Sequence, residues 1–181
     1  MPSWWISKAD WGDFLTLVAV ADPEKPSCGG MAAFLIDPGT PGVEIVRRLP
    51  TISSYRPCEV EFRDVRADNR QVLGEVGHAL VTRRKRFGVR RLEIASRSVG
   101  VAERLLDMML SFSKGRVTFG QPLADRQMVQ QWVAGGQMGL RACRLVNVDA
   151  AHKLHAGAQD IRREAATAEI MGAELLTKVA D

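Results

Sequence analysis

Apolar residues in the first part of the chain occur in short runs that turn residues separate. The runs are Phe14 to Ala21, Gly30 to Ile36, Val43 to Arg47 and Cys58 to Val65. The turn from Asp37 to Gly42 contains two prolines, which fix φ, and two glycines, which allow positive φ. In the last run apolar and acidic residues alternate, as in a half-solvated antiparallel strand. The pattern predicts a small β-meander or a fragment of a β-barrel.

From His78 onward the hydrophobic period lengthens to that of an α-helix. One helical face carries Val99, Ala102, Leu106, Met109 and Leu110, and a second carries Val129, Trp132, Val133 and Leu140. Glycines and a proline between Lys114 and Leu123 separate these two helices. A third helix is predicted after Gly157, where the segment from Arg162 is rich in good helix formers. The second part of the chain is therefore helical.

Composition supports two parts with different architectures. The 181 residues are 46% hydrophobic, enough for one ordinary domain or two small ones. Seven of the eight prolines precede position 58, and the net charge is −3 over residues 1–76 and +7 over 77–181. We therefore predict a β-domain over 1–76 and a helical domain over 77–181. The basic second part predicts an anionic partner.

Several classes of protein are excluded by composition. The uncharged stretches are shorter than the roughly 20 apolar residues of a membrane helix, and the N-terminus lacks the features of a secretory signal. These absences predict a cytoplasmic protein without a membrane span. Three cysteines, Cys28, Cys58 and Cys143, include no C-x-x-C pair, which disfavours a disulfide framework or a zinc site. With three histidines and one tyrosine, chemistry is expected from a bound cofactor.

The segment from Arg116 to Gln127 brings a guanidinium, a hydroxyl, an aromatic ring and an amide together between two helices. Arginine can bind a pyrophosphate bidentately, and a threonine hydroxyl with backbone N–H groups can complete the site. This combination predicts a site for a phosphate-bearing cofactor. A plain interhelical turn is the alternative, because short motifs with glycine and proline are common.

Two further groups have alternative interpretations. The basic run from Arg83 to Arg91 could neutralise nucleic-acid phosphates, but Phe87 is its only aromatic residue, which favours a solvated face. His152 and His155 have the i, i+3 spacing of two metal ligands, but a third ligand is missing. We predict no metal site and no nucleic-acid partner. Glu93, Glu103 and Glu164 are predicted to be surface helix charges.

Four motifs resemble those of the acyl-CoA dehydrogenase family, and they occur in the family's order over nearly the whole chain. Trp4 to Trp11 resembles the family's K-W-W-I-S-G-A strand, and Phe62 to Arg66 its F-x-D-V-R-V-P strand. Leu73 to His78 resembles L-G-x-x-G-x-G, and Arg116 to Leu123 resembles R-x-x-F-G-Q-P-L. The resemblance implies an α+β fold, an antiparallel β-barrel fragment of the middle domain followed by an up-down helical bundle of the C-terminal domain.

The resemblance also implies a cofactor, FAD, and the residues that bind it. Trp5, Ile6 and Ser7 would lie at the isoalloxazine, with the indole against the ring and the serine hydroxyl near the N5 edge; a pair of core or exposed tryptophans is the alternative. The pyrophosphate and adenine of the neighbouring subunit's FAD would be bound by Arg116, Thr118, Phe119 and Gln127. A homodimer or homotetramer follows from that sharing.

The activity implied by the resemblance is α,β-dehydrogenation of an acyl-CoA to a 2-enoyl-CoA, with electrons passed to an electron-transfer flavoprotein. Arg91 would lie near the CoA moiety or the catalytic base. A minority of the family carries that base at the position of Arg90, which is cationic here, so no catalytic residue is assigned. The family's usual lysine is replaced by Glu169, and its V-P by Ala67 and Asp68.

The remaining expectations concern the length of the chain and alternative functions. The chain starts within a strand pattern and stops at Asp181 without a C-cap glycine, so we expect a truncated protein that is weakly active or inactive alone. One alternative function is a non-catalytic, basic helical module for oligomerisation or nucleic-acid binding. Another is a related acyl-CoA oxidase or flavin monooxygenase.

Overall fold

The computed structural model describes residues 2–25, 29–52, 54–158 and 160–181, with side chains at all of these positions except 2 and 81–85. Cys28 lies outside the described residues. The chain divides into two compact units, Met1–Arg84 and Lys85–Asp181. Among the described residues, no helix combines the length and apolarity needed to span a membrane.

In the described part of the first unit, five strands and one short helix precede the start of a long helix. The strands are β1 (Pro2–Ile6), β2 (Leu15–Val20), β3 (Met31–Ile36), β4 (Val43–Arg48) and β5 (Cys58–Phe62). A 3₁₀ helix, Asn69–Gln71, follows them, and Asp68 and Gln71 form its capping box. The four predicted runs are confirmed as β2 to β5. β5 ends before Val65, because the chain bends at Asp64, whose φ is 50°.

The strands pair in two open antiparallel sheets. One sheet has the order β1-β5-β4, and β2 pairs with β3 from Leu15↔Ile36 to Val20↔Met31. The antiparallel arrangement is confirmed, but the described strands do not close into a barrel. The core of this unit is formed by Ala9, Leu15, Ile36, Cys58 and Val60.

One glycine allows the chain to enter β4 close to the end of β5. Gly42 has φ of 90°, and a Cβ built there would lie 2.0 Å from the carbonyl oxygen of Arg63. The Arg63 N–H donates to the Gly42 carbonyl at 2.8 Å. Any side chain at position 42 would therefore break this pairing.

The predicted helices are confirmed as α1 (Ala79–Gly115), α2 (Gln127–His155) and α3 (Arg162–Ala180). Between α1 and α2 lie the two-residue strands β6 (Val117–Thr118) and β7 (Gln121–Pro122) and a second 3₁₀ helix, Leu123–Asp125. The boundary between the two units falls inside α1. The predicted division at 76/77 precedes α1.

The three helices enclose the core of the second unit. Its centre is formed by Val99, Ala102, Leu106, Leu140, Cys143 and Leu175. Gly136 lies against Leu106, and a Cβ at position 136 would be 2.5 Å from the nearest leucine methyl carbon. This glycine permits the close approach of α1 and α2.

The two described cysteines are free and buried, one in each unit. Cys58 is fully buried in the β-unit, and Cys143 donates a weak hydrogen bond to the Met171 carbonyl at 3.4 Å. Burial raises the pKa of both thiols. Both side chains are therefore neutral thiols near neutral pH.

Candidate functional site

A β-bulge shapes the tryptophan segment at the end of β1. Ser3 pairs with Val60 and Ile6 with Cys58, so two residues, Trp4 and Trp5, oppose the single residue Glu59 of β5. Trp5 has φ of 63°, a left-handed conformation that is costly for a bulky aromatic residue. Its side chain is 61% exposed. The bulge therefore turns the indole of Trp5 toward solvent.

The neighbours of Trp5 have different environments. Ile6 is half-buried and packs against the β-unit core, whereas Ser7 is exposed in the turn after β1. Trp5 and Ile6 are the last two residues of β1, and Ser7 lies just past its end. Ile6 thus anchors the strand end, while Trp5 and Ser7 leave an indole and a hydroxyl accessible.

The predicted phosphate-binding segment folds as a tight hairpin. Val117 pairs with Pro122 and Thr118 with Gln121. The two turn residues, Phe119 and Gly120, have φ of 51° and 80°, as in a type I′ turn. This turn favours asparagine before glycine, so phenylalanine is strained there. The Phe119 ring is 99% exposed.

Arg126 holds this hairpin together, a role that sequence reasoning missed. Its guanidinium donates to the Thr118 carbonyl at 2.7 Å and lies 5.9 Å from the centroid of the Phe119 ring. When the Gln121 amide oxygen faces Arg126, it accepts from the same guanidinium at 2.7 Å. The only sequence signal was a second arginine within the motif, directly before α2.

The other charged and polar residues of this segment face solvent. Arg116 is exposed and forms no ion pair with any residue that the structure describes. Gln127 is exposed at the first position of α2, and the N-cap residue Arg126 supplies no side-chain cap there. A helix start without a side-chain cap and a guanidinium without a described ion pair together favour an anion.

The structure thus gathers the predicted residues into two groups. Trp5, Ile6 and Ser7 lie at the end of β1 in the first unit. The second unit brings together, on one hairpin and the start of the following helix, Arg116, Thr118, Phe119 and Gln127. Their roles in cofactor binding stay predictions.

In the described part of the basic cluster, Arg90 and Arg91 are ion-paired. Arg90 and Arg97 both donate to Glu93, the latter at 2.8 Å, and chiefly the bond from Arg90 holds the pKa of Glu93 below its usual range. Arg91, the predicted substrate residue, lies 3.3 Å from Glu169 of α3. The side chains of 81–85 lie outside the described residues. These pairs reduce the positive charge that the cluster offers to a polyanion.

The remaining candidate groups are ordinary surface side chains. His152 and His155 are exposed near the end of α2. Within the described ranges, no three or more His, Cys, Asp or Glu side chains form a group that could hold a metal ion. Glu103 pairs with Arg144, and Glu164 with Lys153.

A family model and a curated relative both match this chain to acyl-CoA dehydrogenases. Residues 77–181 match the family model described as the acyl-CoA dehydrogenase C-terminal domain. The chain is 42% identical over 177 residues to (R)-benzylsuccinyl-CoA dehydrogenase of Thauera aromatica, covering 97% of the chain and 44% of that protein. The chain therefore spans less than half of this relative's length.

Solved structures share the fold. Butyryl-CoA dehydrogenase from Megasphaera elsdenii superimposes with a TM-score of 0.92 at 26% identity, covering 99% of this chain and 47% of that one. The FAD complex of PigA gives a TM-score of 0.91 at 25% identity, covering 98% and 46%. These matches span both units, and the chain belongs to the acyl-CoA dehydrogenase family.

Proposed function

We propose that the protein to which this chain belongs oxidises an acyl-CoA thioester to a 2-enoyl-CoA with FAD. Within it, this chain would supply the end of β1 to its own FAD and the hairpin before α2 to the FAD of the neighbouring subunit. One observation carries the proposal: an unpaired, exposed Arg116 beside a strained hairpin whose aromatic residue projects fully into solvent. The family's fold and the FAD complex of PigA support the same cofactor.

The described residues fit the chemical parts of FAD. Arg116, with the free N–H groups at the start of α2, suits the pyrophosphate. The exposed ring of Phe119 offers a flat apolar surface for the adenine side. The exposed indole of Trp5 and the hydroxyl of Ser7 suit the isoalloxazine. When bound, FAD accepts the hydride from the acyl group.

The residues of this chain bind and orient rather than transfer a proton. Trp5 would cover one side of the flavin and exclude water, and Ser7 would donate a hydrogen bond to its N5 edge. Arg90 occupies the position of the base in a minority of the family, but it is a cation paired with Glu93. No residue described here is therefore proposed as the base.

We propose an aryl-substituted dicarboxylic acyl-CoA as the first substrate to assay. The support is the 42% identity to (R)-benzylsuccinyl-CoA dehydrogenase over 97% of the chain. Turnover of butyryl-CoA but not of (R)-benzylsuccinyl-CoA by the whole protein would contradict this choice.

Retention of FAD by the chain tests the proposed site. The chain is incubated with FAD, free cofactor is removed and the visible spectrum is recorded. Loss of a charge-assisted phosphate contact in Arg116→Ala should weaken FAD binding about ten- to a hundredfold. Arg104→Ala, which removes an exposed arginine from the middle of α1, is the matched control and should retain flavin. Equal retention by both variants would contradict the role of Arg116.

We further propose a homodimer or homotetramer that passes electrons to an electron-transfer flavoprotein. Large apolar side chains that are more than half exposed along α2 support self-association; they are Met128, Trp132, Met138 and Leu145. Sedimentation analysis of the whole protein tests the oligomer. Oxygen consumption with acyl-CoA, in place of reduction of an electron-transfer flavoprotein, would favour the oxidase or monooxygenase alternative.

The basic helical module for oligomerisation or nucleic-acid binding is not favoured. The family match covers the whole basic part of the chain, and the described arginines at 90, 91 and 97 are ion-paired.

A further inference from the structure

We propose that Glu59 is a positioning residue for the proposed FAD site. Its carboxylate holds the guanidinium of Arg47 against Trp4. Trp4 in turn keeps the β1 bulge in the conformation that exposes the indole of Trp5. This inference rests on the proposed FAD site at the end of β1. It concerns three residues that the family motifs do not assign to the cofactor, Glu59, Arg47 and Trp4.

Both irregularities of the three-stranded sheet meet at Glu59. On one side, Trp4 and Trp5 of β1 oppose it together. On the other, Ile45 pairs with Val60 and Arg47 with Glu59, so Val46 is an extra residue in β4. Glu59 therefore occupies the one position of the central strand where both neighbouring strands depart from regular pairing. A bulge in an edge strand leaves its residues with fewer ladder hydrogen bonds, so side chains must hold it.

A chain of side-chain contacts runs from Glu59 to the bulge. Glu59 is buried, only 8% exposed, and its carboxylate accepts a hydrogen bond from Arg47 Nε at 2.6 Å. The Arg47 guanidinium lies 5.0 Å from the centroid of a ring of Trp4. The Arg47 side chain is itself 56% exposed, so it is the buried carboxylate that holds the planar guanidinium in one orientation against the indole.

Trp4 is joined directly to Trp5, whose left-handed backbone is unfavourable for an aromatic residue. Such a conformation persists only when its surroundings determine it. Ile6 anchors the far side of the bulge in the core, and Trp4, held by Arg47, anchors the near side. Loss of the Glu59 carboxylate would release the near anchor and let the indole of Trp5 move away from the position that the flavin requires.

The same sheet offers a matched control. Arg63 and Glu61 form an ion pair at 2.7 Å, next to the Glu59 pair along the sheet, with side-chain exposures of 66% and 23%. None of the described cation–π contacts involves Arg63. Glu61→Gln therefore removes a carboxylate of the same strand while the contact between Arg47 and Trp4 keeps its carboxylate partner, Glu59.

The test compares FAD retention and near-ultraviolet circular dichroism of the chain with those of five variants: Glu59→Gln, Arg47→Met, Glu61→Gln, Trp4→Leu, and Trp4→Leu combined with Glu59→Gln. Glu59→Gln and Arg47→Met should each weaken FAD binding about threefold to tenfold and change the tryptophan dichroism, since a cation–π contact of this kind is lost. Glu61→Gln should change neither quantity. In a Trp4→Leu background, Glu59→Gln should cause no further loss of FAD, because its effect passes through Trp4.

The outcomes separate this inference from the proposed function. If the unsubstituted chain retains no flavin, the proposed FAD site fails, and the tryptophan dichroism alone decides whether Glu59 controls the bulge. If the near-ultraviolet dichroism of Glu59→Gln equals that of Glu61→Gln, the inference is overturned, whether or not FAD is retained. A full additional loss of FAD from Glu59→Gln in the Trp4→Leu background also overturns it, since that loss would mark a general structural role.

Discussion

The guanidinium of Arg91 lies 3.3 Å from the carboxylate of Glu169 and joins α1 to α3 across the helical unit. The family resemblance implies a lysine at the position of Glu169. In this chain a lysine there would face Arg91 with a like charge. Glu169 therefore carries the charge that attracts Arg91 of α1.

Substitution Glu169→Lys should lower the free energy of unfolding by about 1 kcal/mol, because the pair is partly exposed and partly screened. Urea denaturation measures the change. Glu174→Lys, an exposed substitution on the same helix, should have little effect. Exchanging the charges with Arg91→Glu and Glu169→Lys together should recover most of the loss; no recovery would mean that the two side chains do not interact.

Two glycine-to-alanine substitutions in helices should have opposite signs. Gly136→Ala should destabilise by about 1–2 kcal/mol, because the new methyl group would meet the fully buried Leu106. Gly100→Ala has no atom within 4 Å of the new Cβ and should stabilise α1 by about 0.5–1 kcal/mol through helix propensity. Thermal unfolding compares them. Equal signs would contradict the close packing of α1 and α2.

The strained hairpin before α2 predicts opposite effects on stability and on FAD binding. Phe119→Asn places the residue favoured by a type I′ turn at a position with φ of 51°, and should stabilise the chain by about 1 kcal/mol. The same change removes the ring proposed to contact FAD, so flavin retention should fall. Phe119→Leu keeps the backbone strain and also lacks the ring; it should lose flavin without gaining stability.

Acid should weaken the start of α3 through one carboxylate. Arg162 lowers the pKa of Asp160 from 3.8 to about 2, chiefly by a side-chain hydrogen bond, and the Arg162 backbone N–H donates to it at 3.0 Å. Because the folded-state pKa is depressed, this contribution to stability is full above pH 3.8 and is lost as the pH falls toward 2.

Melting temperatures of the chain and of Asp160→Asn between pH 5 and pH 2 check this linkage. The difference in melting temperature between the two proteins should be constant near pH 5 and should shrink at lower pH as Asp160 is protonated. A difference that stays unchanged across the whole range would show that the charge of Asp160 does not stabilise the helix start.

The elements could be predicted from the sequence because their signals are local. The alternation after Cys58 and the helical spacing around Leu106 each depend on residues a few positions apart. The bulge at Trp4 and Trp5 could not be predicted, because an excess residue exists only relative to the partner strand β5. Strand register is defined only between two paired segments, so the sequence of β1 alone does not determine it.

The candidate site, too, could be predicted from the sequence only in part. The motif identified Arg116 and Phe119, but the role of Arg126 depends on the hairpin folding back to place its guanidinium on the Thr118 carbonyl. The pairing of Arg91 with Glu169 likewise required the packing of α1 on α3. Side-chain partners from distant parts of the chain are set by tertiary structure.

Each unit contains one buried thiol, Cys58 or Cys143, and the labelling of that thiol can measure the opening of its unit. A thiol reagent reaches Cys58 only when the β-unit opens and Cys143 only when the helices separate. With Cys28 replaced by serine, labelling rates at the two sites would give two separate opening free energies. Unequal opening free energies would show that the two units open separately and would identify the unit that opens more readily.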